Sequence, residues 1–261
     1  MKHGVSLQFM WTELSFPDRV RKAGSHGFDQ VDLWDWRDVD IDELGEVCRS
    51  EGVALGGFFG HRQGGLADPS QRGQVLEELA ASVEVAERVG ATQLHTFSDG
   101  IGPGGVIVKP PPLTWQARFQ SCVDGLAEAV KLVEGTGITL GVEAINNVYV
   151  PGYFWDEVGM TVAVCRAVDH PRVRLAFDCF HQQLSGGRLT DNLLAALPWM
   201  GRFDVADVPG RGQPGTGEIN YAHLRRVLEA QGYDGLVSFE LVPQGGDSDR
   251  AARACRRVFG F

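Results

Sequence analysis

Apolar and β-branched residues gather in eight short runs along the chain. These are Val5 to Phe9, Gln30 to Trp34, Val53 to Phe59, Thr92 to Thr96, Thr139 to Ala144, Val173 to Phe177, Phe203 to Ala206 and Leu236 to Leu241. Each reads as a largely buried strand. The stretches between them carry apolar residues three and four apart, the spacing that places them on one face of a helix. This is clearest over Gly73 to Val89, Trp115 to Glu134 and Tyr221 to Gln231. Strand and helix therefore alternate from end to end.

Eight such units in 261 residues leave about 33 residues for each, enough for a strand, a returning helix and two loops. The pattern predicts a single (β/α)8 TIM barrel over residues 1–261. A doubly wound sheet is the rival, but no GxGxxG or GxxxxGK[ST] follows the first strand. The glycine- and proline-rich segment from Gly100 to Pro112 is expected to widen one loop at the C-terminal end of the strands, the end where barrel enzymes build their sites.

Composition narrows the class further. The chain has 34 acidic and 24 basic residues, a net charge of -10, which opposes attraction to phosphate backbones and anionic lipid. Nucleic acid and membrane are not expected partners. The five cysteines (Cys48, Cys122, Cys165, Cys179 and Cys255) are scattered and form no CxxC, so a disulfide scaffold is not expected. With no secretory leader and no apolar stretch of membrane-spanning length, the reading is a cytoplasmic protein.

Four strand ends each deliver a carboxylate: Glu143 in ITLGVEAIN, Asp178 in VRLAFDCFH, Asp204 in RFDVAD and Glu240 in GLVSFE. An acid buried alone in an apolar strand is costly, and four on one axis repel unless a cation lies between them. An oxygen-rich set of this kind suits a hard divalent ion, Mg²⁺ or Mn²⁺, better than zinc.

Several segments carry a resemblance. VEAINNVYVPGYF (142–154), FDCFHQQLSGGRLT (177–190), ADVPGRGQPGTGEINY (206–221) and GYDGLVSFE (232–240) resemble, in order and spacing, the C-terminal half of the hydroxypyruvate isomerase family in the xylose-isomerase-like barrel superfamily. The resemblance implies that Glu143, Asp178 and Glu240 match three metal ligands, with Asp204 in the place of the fourth. It also implies that Glu143 and Glu240 are the catalytic pair, and that His181 and Arg211 contact substrate. His95 and His61, at two other strand ends, are further expected substrate contacts, and Trp11, Trp34 and Trp36 an expected apolar rim. Glu13 is expected to cap a helix or join that rim, and Cys179 to be structural.

Two positions depart from the family pattern. Asp204 stands where a glutamine is usual, so its charge requires a protonated carboxylate, a compensating Arg202 or Arg211, or a side chain turned away. Leu241 and Val242 follow Glu240 where the family commonly has an aromatic residue and a lysine. The resemblance implies isomerisation of a small α-hydroxy-carbonyl compound, a keto-acid or keto-sugar, through an enediolate, by a dimer or tetramer. Epimerase or lyase chemistry at the same site and sugar binding without turnover are the alternatives. The many-histidine, three-zinc nuclease branch of the superfamily fits poorly with seven histidines mostly outside strand ends.

Overall fold

In a computed structural model that describes residues 1–108 and 110–261, the eight strands close into a parallel barrel in sequence order. They are β1 (Lys2–Ser6), β2 (Gln30–Asp32), β3 (Ala54–Phe59), β4 (Gln93–Thr96), β5 (Thr139–Glu143), β6 (Val173–Asp178), β7 (Met200–Val205) and β8 (Leu236–Phe239). The ring is sealed by β1 on β8, Lys2 opposite Leu236 through Val5 opposite Phe239. The helices are α1 (Phe16–Ser25), α2 (Ile41–Glu51), α3 (Arg72–Val89), α4 (Trp115–Val133), α5 (Val158–Val168), α6 (Cys179–Ser185), α7 (Leu189–Ala196), α8 (Tyr221–Ala230) and α9 (Ser248–Phe259). This is the expected (β/α)8 barrel.

Local chemistry sets the helix boundaries. Asp40 caps α2 by accepting from the Glu43 amide at 3.0 Å, and Gly52 ends it with φ of 67°, a left-handed value that favours glycine. The cap of α1 is Ser15 rather than Glu13, which is exposed. The main core lies between barrel and helices, where Phe177 of β6 stacks on Phe203 of β7 at 5.8 Å. All five cysteines are buried and unpaired, and Cys179 opens α6 inside the packed region.

Two strands are displaced from their expected limits. β1 runs over Lys2–Ser6, because the chain turns at Leu7 once the Leu7 amide has reached the Asp32 carbonyl at 2.8 Å. β7 begins at Met200, so Arg202 lies inside the strand; its charge disguises a buried strand position that acidic partners in the barrel make tenable. The Gly100–Pro112 expectation includes Lys109, which lies outside the described residues. Its described part holds a short antiparallel bridge between Ile101 and Ile107 and lines the mouth of the barrel. Among the described residues no helix is long and apolar enough to cross a membrane.

Candidate active site

A cavity of about 1370 Å³ opens at the C-terminal ends of the strands. Parallel pairing places Asp178 opposite Asp204, Asp204 opposite Ser238, and Ser6 opposite Asp32, so polar side chains from neighbouring strands enter at similar depth. Phe9, Trp34, Phe59 and Phe97 form an aromatic wall along the cavity, with the Trp34 and Phe59 rings stacked at 5.8 Å. Trp34 is thus the tryptophan that reaches the cavity. Trp11 is buried beneath the rim, its indole donating to Asp249 at 2.8 Å, and the Trp36 indole donates to Ser82 at 3.0 Å.

Glu143, Asp178 and His181 form the centre, offering one donor atom each within 4.8 Å of one another, and all three are buried. Asp178 ends β6 and caps α6: its Oδ1 accepts from the amides of Phe180 at 2.7 Å and His181 at 3.1 Å, leaving Oδ2 to face the site. Burial, reinforced by the charges of Asp178 and Glu240, pushes the Glu143 carboxyl well above the usual carboxylate range. Burial also raises Asp178, against the opposing pull of Arg211 and the capping amides. This excess of desolvated negative charge and oxygen donors is the environment that a hard divalent cation relieves, so the donor set fits such an ion.

The proton on His181 follows from its neighbours. Asn146 Oδ1 accepts from the amides of Val148 at 3.0 Å and Tyr149 at 2.9 Å, which orients the amide so that Nδ2 points at His181 Nδ1, 2.7 Å away. The Asn146 backbone amide donates to the same nitrogen at 3.2 Å. Nδ1 is therefore an acceptor and the proton sits on Nε2, which faces Glu143 Oε1 at 3.9 Å and Asp178 Oδ2 at 3.8 Å. Burial and Arg211 lower this imidazole to about 3, so it is neutral near pH 7. In this arrangement His181 is a hydrogen-bond donor beside the carboxylates.

Glu240 lies outside that tight group. Its Oε1 accepts from the Trp34 indole at 2.8 Å and pairs with Arg211 at 3.0 Å. The Arg211 guanidinium also approaches Asp178 Oδ2 at 3.7 Å, so it joins the β6 and β8 acids across the cavity; Glu218 and Asp207 are not its partners. Asp207 instead organises the loop that carries Arg211. Its Oδ2 accepts from the amides of Gly215, Thr216 and Gly217, and its Oδ1 from those of Val208 and Ile219, all at 2.9–3.1 Å. Arg211 itself has φ of 57°, a strained value for a side chain with a Cβ, held in place by this loop.

Asp204 sits with Arg202 rather than with the Glu143, Asp178 and His181 group. Arg202 Nε donates to both Asp204 oxygens at 2.8 and 3.0 Å, which is one of the ways its charge was expected to be offset. Burial pushes Asp204 up to about 7 against the pull of Arg202. His61 is likewise not free for substrate: its Nε2 accepts from the Phe97 amide at 3.0 Å, which leaves Nδ1 to donate to the Gln63 carbonyl at 3.3 Å. The ring braces the ends of β3 and β4. His95 lines the cavity with Nδ1 3.5 Å from Glu143 Oε2. Two residues of the centre escape the sequence reading. Asn146 stands inside the quoted VEAINN segment, and Asp32 is an acid in the apolar run QVDLW, the same signal that marked the other four.

The chain matches the xylose isomerase-like TIM barrel family over residues 17–258. A Homo sapiens protein named provisionally as a hydroxypyruvate isomerase is 31% identical over 258 residues, covering 94% of this chain and 91% of that one. The 2-oxo-tetronate isomerase of Cupriavidus necator is 27% identical over 255 residues, covering 95% of each chain. Among solved structures, one titled an AP endonuclease of family 2 from Brucella melitensis superposes with a TM-score of 0.85 at 26% identity over 95% of both chains. Fold, match length and the named relatives agree: the chain belongs to the xylose isomerase-like TIM barrel family and, within it, to the hydroxypyruvate isomerase family.

Proposed function

We propose that this protein isomerises a small α-hydroxy-carbonyl acid of three or four carbons, moving a proton between adjacent carbons through an enediolate. The observation that carries the reading is the convergence of Glu143 and Glu240, from β5 and β8, on one cavity with Asp178 between them in the strand order. The relatives named for hydroxypyruvate and 2-oxo-tetronate isomerisation support the substrate class. The cavity has far more room than a three-carbon acid fills, so a four-carbon acid is equally accommodated.

Glu143, Asp178 and Glu240 would hold the divalent ion, Mg²⁺ or Mn²⁺. When bound, it supplies Lewis acidity that makes the C–H between carbonyl and hydroxyl easier to break. Glu143, buried and with its affinity for a proton raised, takes the proton from one carbon; Glu240, anchored by the Trp34 indole, serves the neighbouring carbon. Arg211 is placed to grip the substrate carboxylate through its planar fork, and the Nε2–H of His181 to donate to a substrate oxygen. Asp204 stays with Arg202, and its charge is balanced within the protein. The aromatic wall excludes water from the enediolate.

The test is an assay of hydroxypyruvate and a four-carbon 2-keto-3-hydroxy acid with protein loaded with Mg²⁺ or Mn²⁺, then after chelation. Conversion of either to its isomer, lost on chelation and regained with metal, is the expected result. Turnover unaffected by exhaustive chelation would contradict the metal assignment, and binding without conversion would favour a sugar- or acid-binding barrel.

A further inference from the structure

We propose that Arg202 is a positioning residue for the proton-transfer carboxylate. By its contact with His95 it fixes the tautomer that carries its proton on Nδ1, and so places a buried N–H beside Oε2 of Glu143. This inference rests on the reading of Glu143 as the proton carrier.

The guanidinium lies inside the barrel, with Nε–H and three terminal N–H bonds donated to acceptors and an ion-pair contact to Asp204 besides. Nε–H points to Asp204; one terminal nitrogen reaches Asp32 Oδ2 at 3.0 Å and Asp204 Oδ1 at 2.8 Å; the other reaches Gln93 Oε1 at 3.1 Å and His95 Nε2 at 3.3 Å. A guanidinium has no acceptor, so His95 Nε2 must be the bare nitrogen and the neutral ring must carry its proton on Nδ1. An imidazolium would set N–H against N–H. His95 Nδ1 is buried without a hydrogen-bond partner, and the nearest carboxylate oxygen to it is Glu143 Oε2 at 3.5 Å.

Glu143 is thereby flanked by two imidazoles, one facing each oxygen: His95 Nδ1–H at Oε2 and His181 Nε2–H at Oε1. Each ring is set from behind by a different device, Asn146 for His181 and Arg202 for His95. At 3.5 and 3.9 Å both N–H groups act on the carboxylate by electrostatic attraction, which favours one orientation of a base that must be aimed before its proton affinity matters. Arg202 can be seated there because β7 places it and Asp204 two residues apart on the same side of the strand, and because Asp32, itself held by Ser238 at 2.9 Å and Gln30 at 2.9 Å, supplies a second counter-charge. A lysine, a compact point charge with three donors, would not serve these four partners together.

The experiment uses the full chain loaded with Mg²⁺ and labelled with ¹⁵N in histidine, read by long-range ¹H–¹⁵N correlation, with His95 assigned by its absence in His95→Gln. The expected spectrum shows His95 Nδ1 protonated and Nε2 bare at neutral pH. A proton on Nε2, or an imidazolium, overturns the proposal whatever the activity. The double variant Arg202→Met/Asp204→Asn removes both charges together and leaves Asp32 its Ser238 and Gln30 donors. It is expected to lose the single tautomer and to drop kcat by at least about tenfold, the worth of one hydrogen bond to a charged group, with KM nearly unchanged. Loss of the tautomer with kcat intact, or an unchanged tautomer in the double variant, would overturn it. Should the wild type turn over none of the proposed acids, the function reading fails, while the wild-type spectrum still decides whether Arg202 sets His95.

Discussion

At the scale of single residues, the acids at strand ends were legible because an ionisable group in an apolar run needs a reason. Glu143 and Glu240 line the cavity, and Asp178 is buried beside Glu143. Substituting Glu143 or Glu240 by Gln is expected to lower turnover by about 10³-fold with the thermal transition of the chelated protein intact; near-wild-type rates in either variant would refute the two-glutamate assignment. Partners across the barrel were not legible: nothing in GFFGHRQGG tells that both nitrogens of His61 are consumed by backbone groups, or in FMWTEL that Trp11 turns down onto Asp249. The His61 reading has its own test. Burial holds the imidazole at about 4, with Glu78 and Arg37 acting in opposite directions, while in the unfolded chain it titrates near 6.5. The folded form is the poorer proton acceptor, so the stability owed to neutral His61 is complete above about pH 6.5 and lost as pH falls toward 4. Denaturant titrations should show the stability gap between wild type and His61→Gln narrowing by about 3 kcal/mol over that range. A pH-independent gap would place the ring elsewhere.

At the scale of elements, the loop between β7 and α8 is where sequence and structure meet most closely. The segment ADVPGRGQPGTGEINY was recognised as a whole, but its internal logic is visible only in three dimensions: one carboxylate, Asp207, gathers five backbone amides and so holds Arg211 at a left-handed φ over the site. Gly217 is required for the same closure, because a Cβ there would lie 2.0 Å from the Val208 carbonyl oxygen. Asp207→Ala is expected to cost about 3 kcal/mol in denaturant unfolding and to raise KM for the acid substrate through loss of Arg211 placement. A stable variant with unchanged KM would show that the loop does not depend on this carboxylate. The β7 boundary is hidden in the sequence for a related reason: a charged residue in a strand looks like a loop until its counter-ions, contributed by β7 itself and by distant β2, are known.

At the scale of the whole molecule, the barrel was legible because eight evenly spaced strand signals constrain topology more strongly than any one of them. Its interior was not. Barrel cores are normally filled by branched apolar side chains, whereas this one holds buried Arg202, Asp204, Asp32 and Ser238, joined to half-buried Gln93, in one network beneath the site. The surplus of buried carboxylate above that network predicts that metal stabilises the fold. At a hundredfold excess over Kd, Mg²⁺ or Mn²⁺ should add about 2.7 kcal/mol, and with roughly 2–4 °C per kcal/mol at this size the melting temperature should rise by about 5–10 °C over chelated protein. No shift with either ion would argue against a divalent centre. The central claim, that Glu143 and Glu240 pass a proton between adjacent carbons of an α-hydroxy-carbonyl acid, is tested most directly by proton NMR in D₂O with Mg²⁺-loaded protein and hydroxypyruvate or its four-carbon analogue. The account predicts deuterium at the carbon beside the carbonyl and the appearance of the isomer, both abolished in Glu143→Gln and Glu240→Gln. Retention of every substrate proton while product forms, or full exchange in both variants, would contradict it.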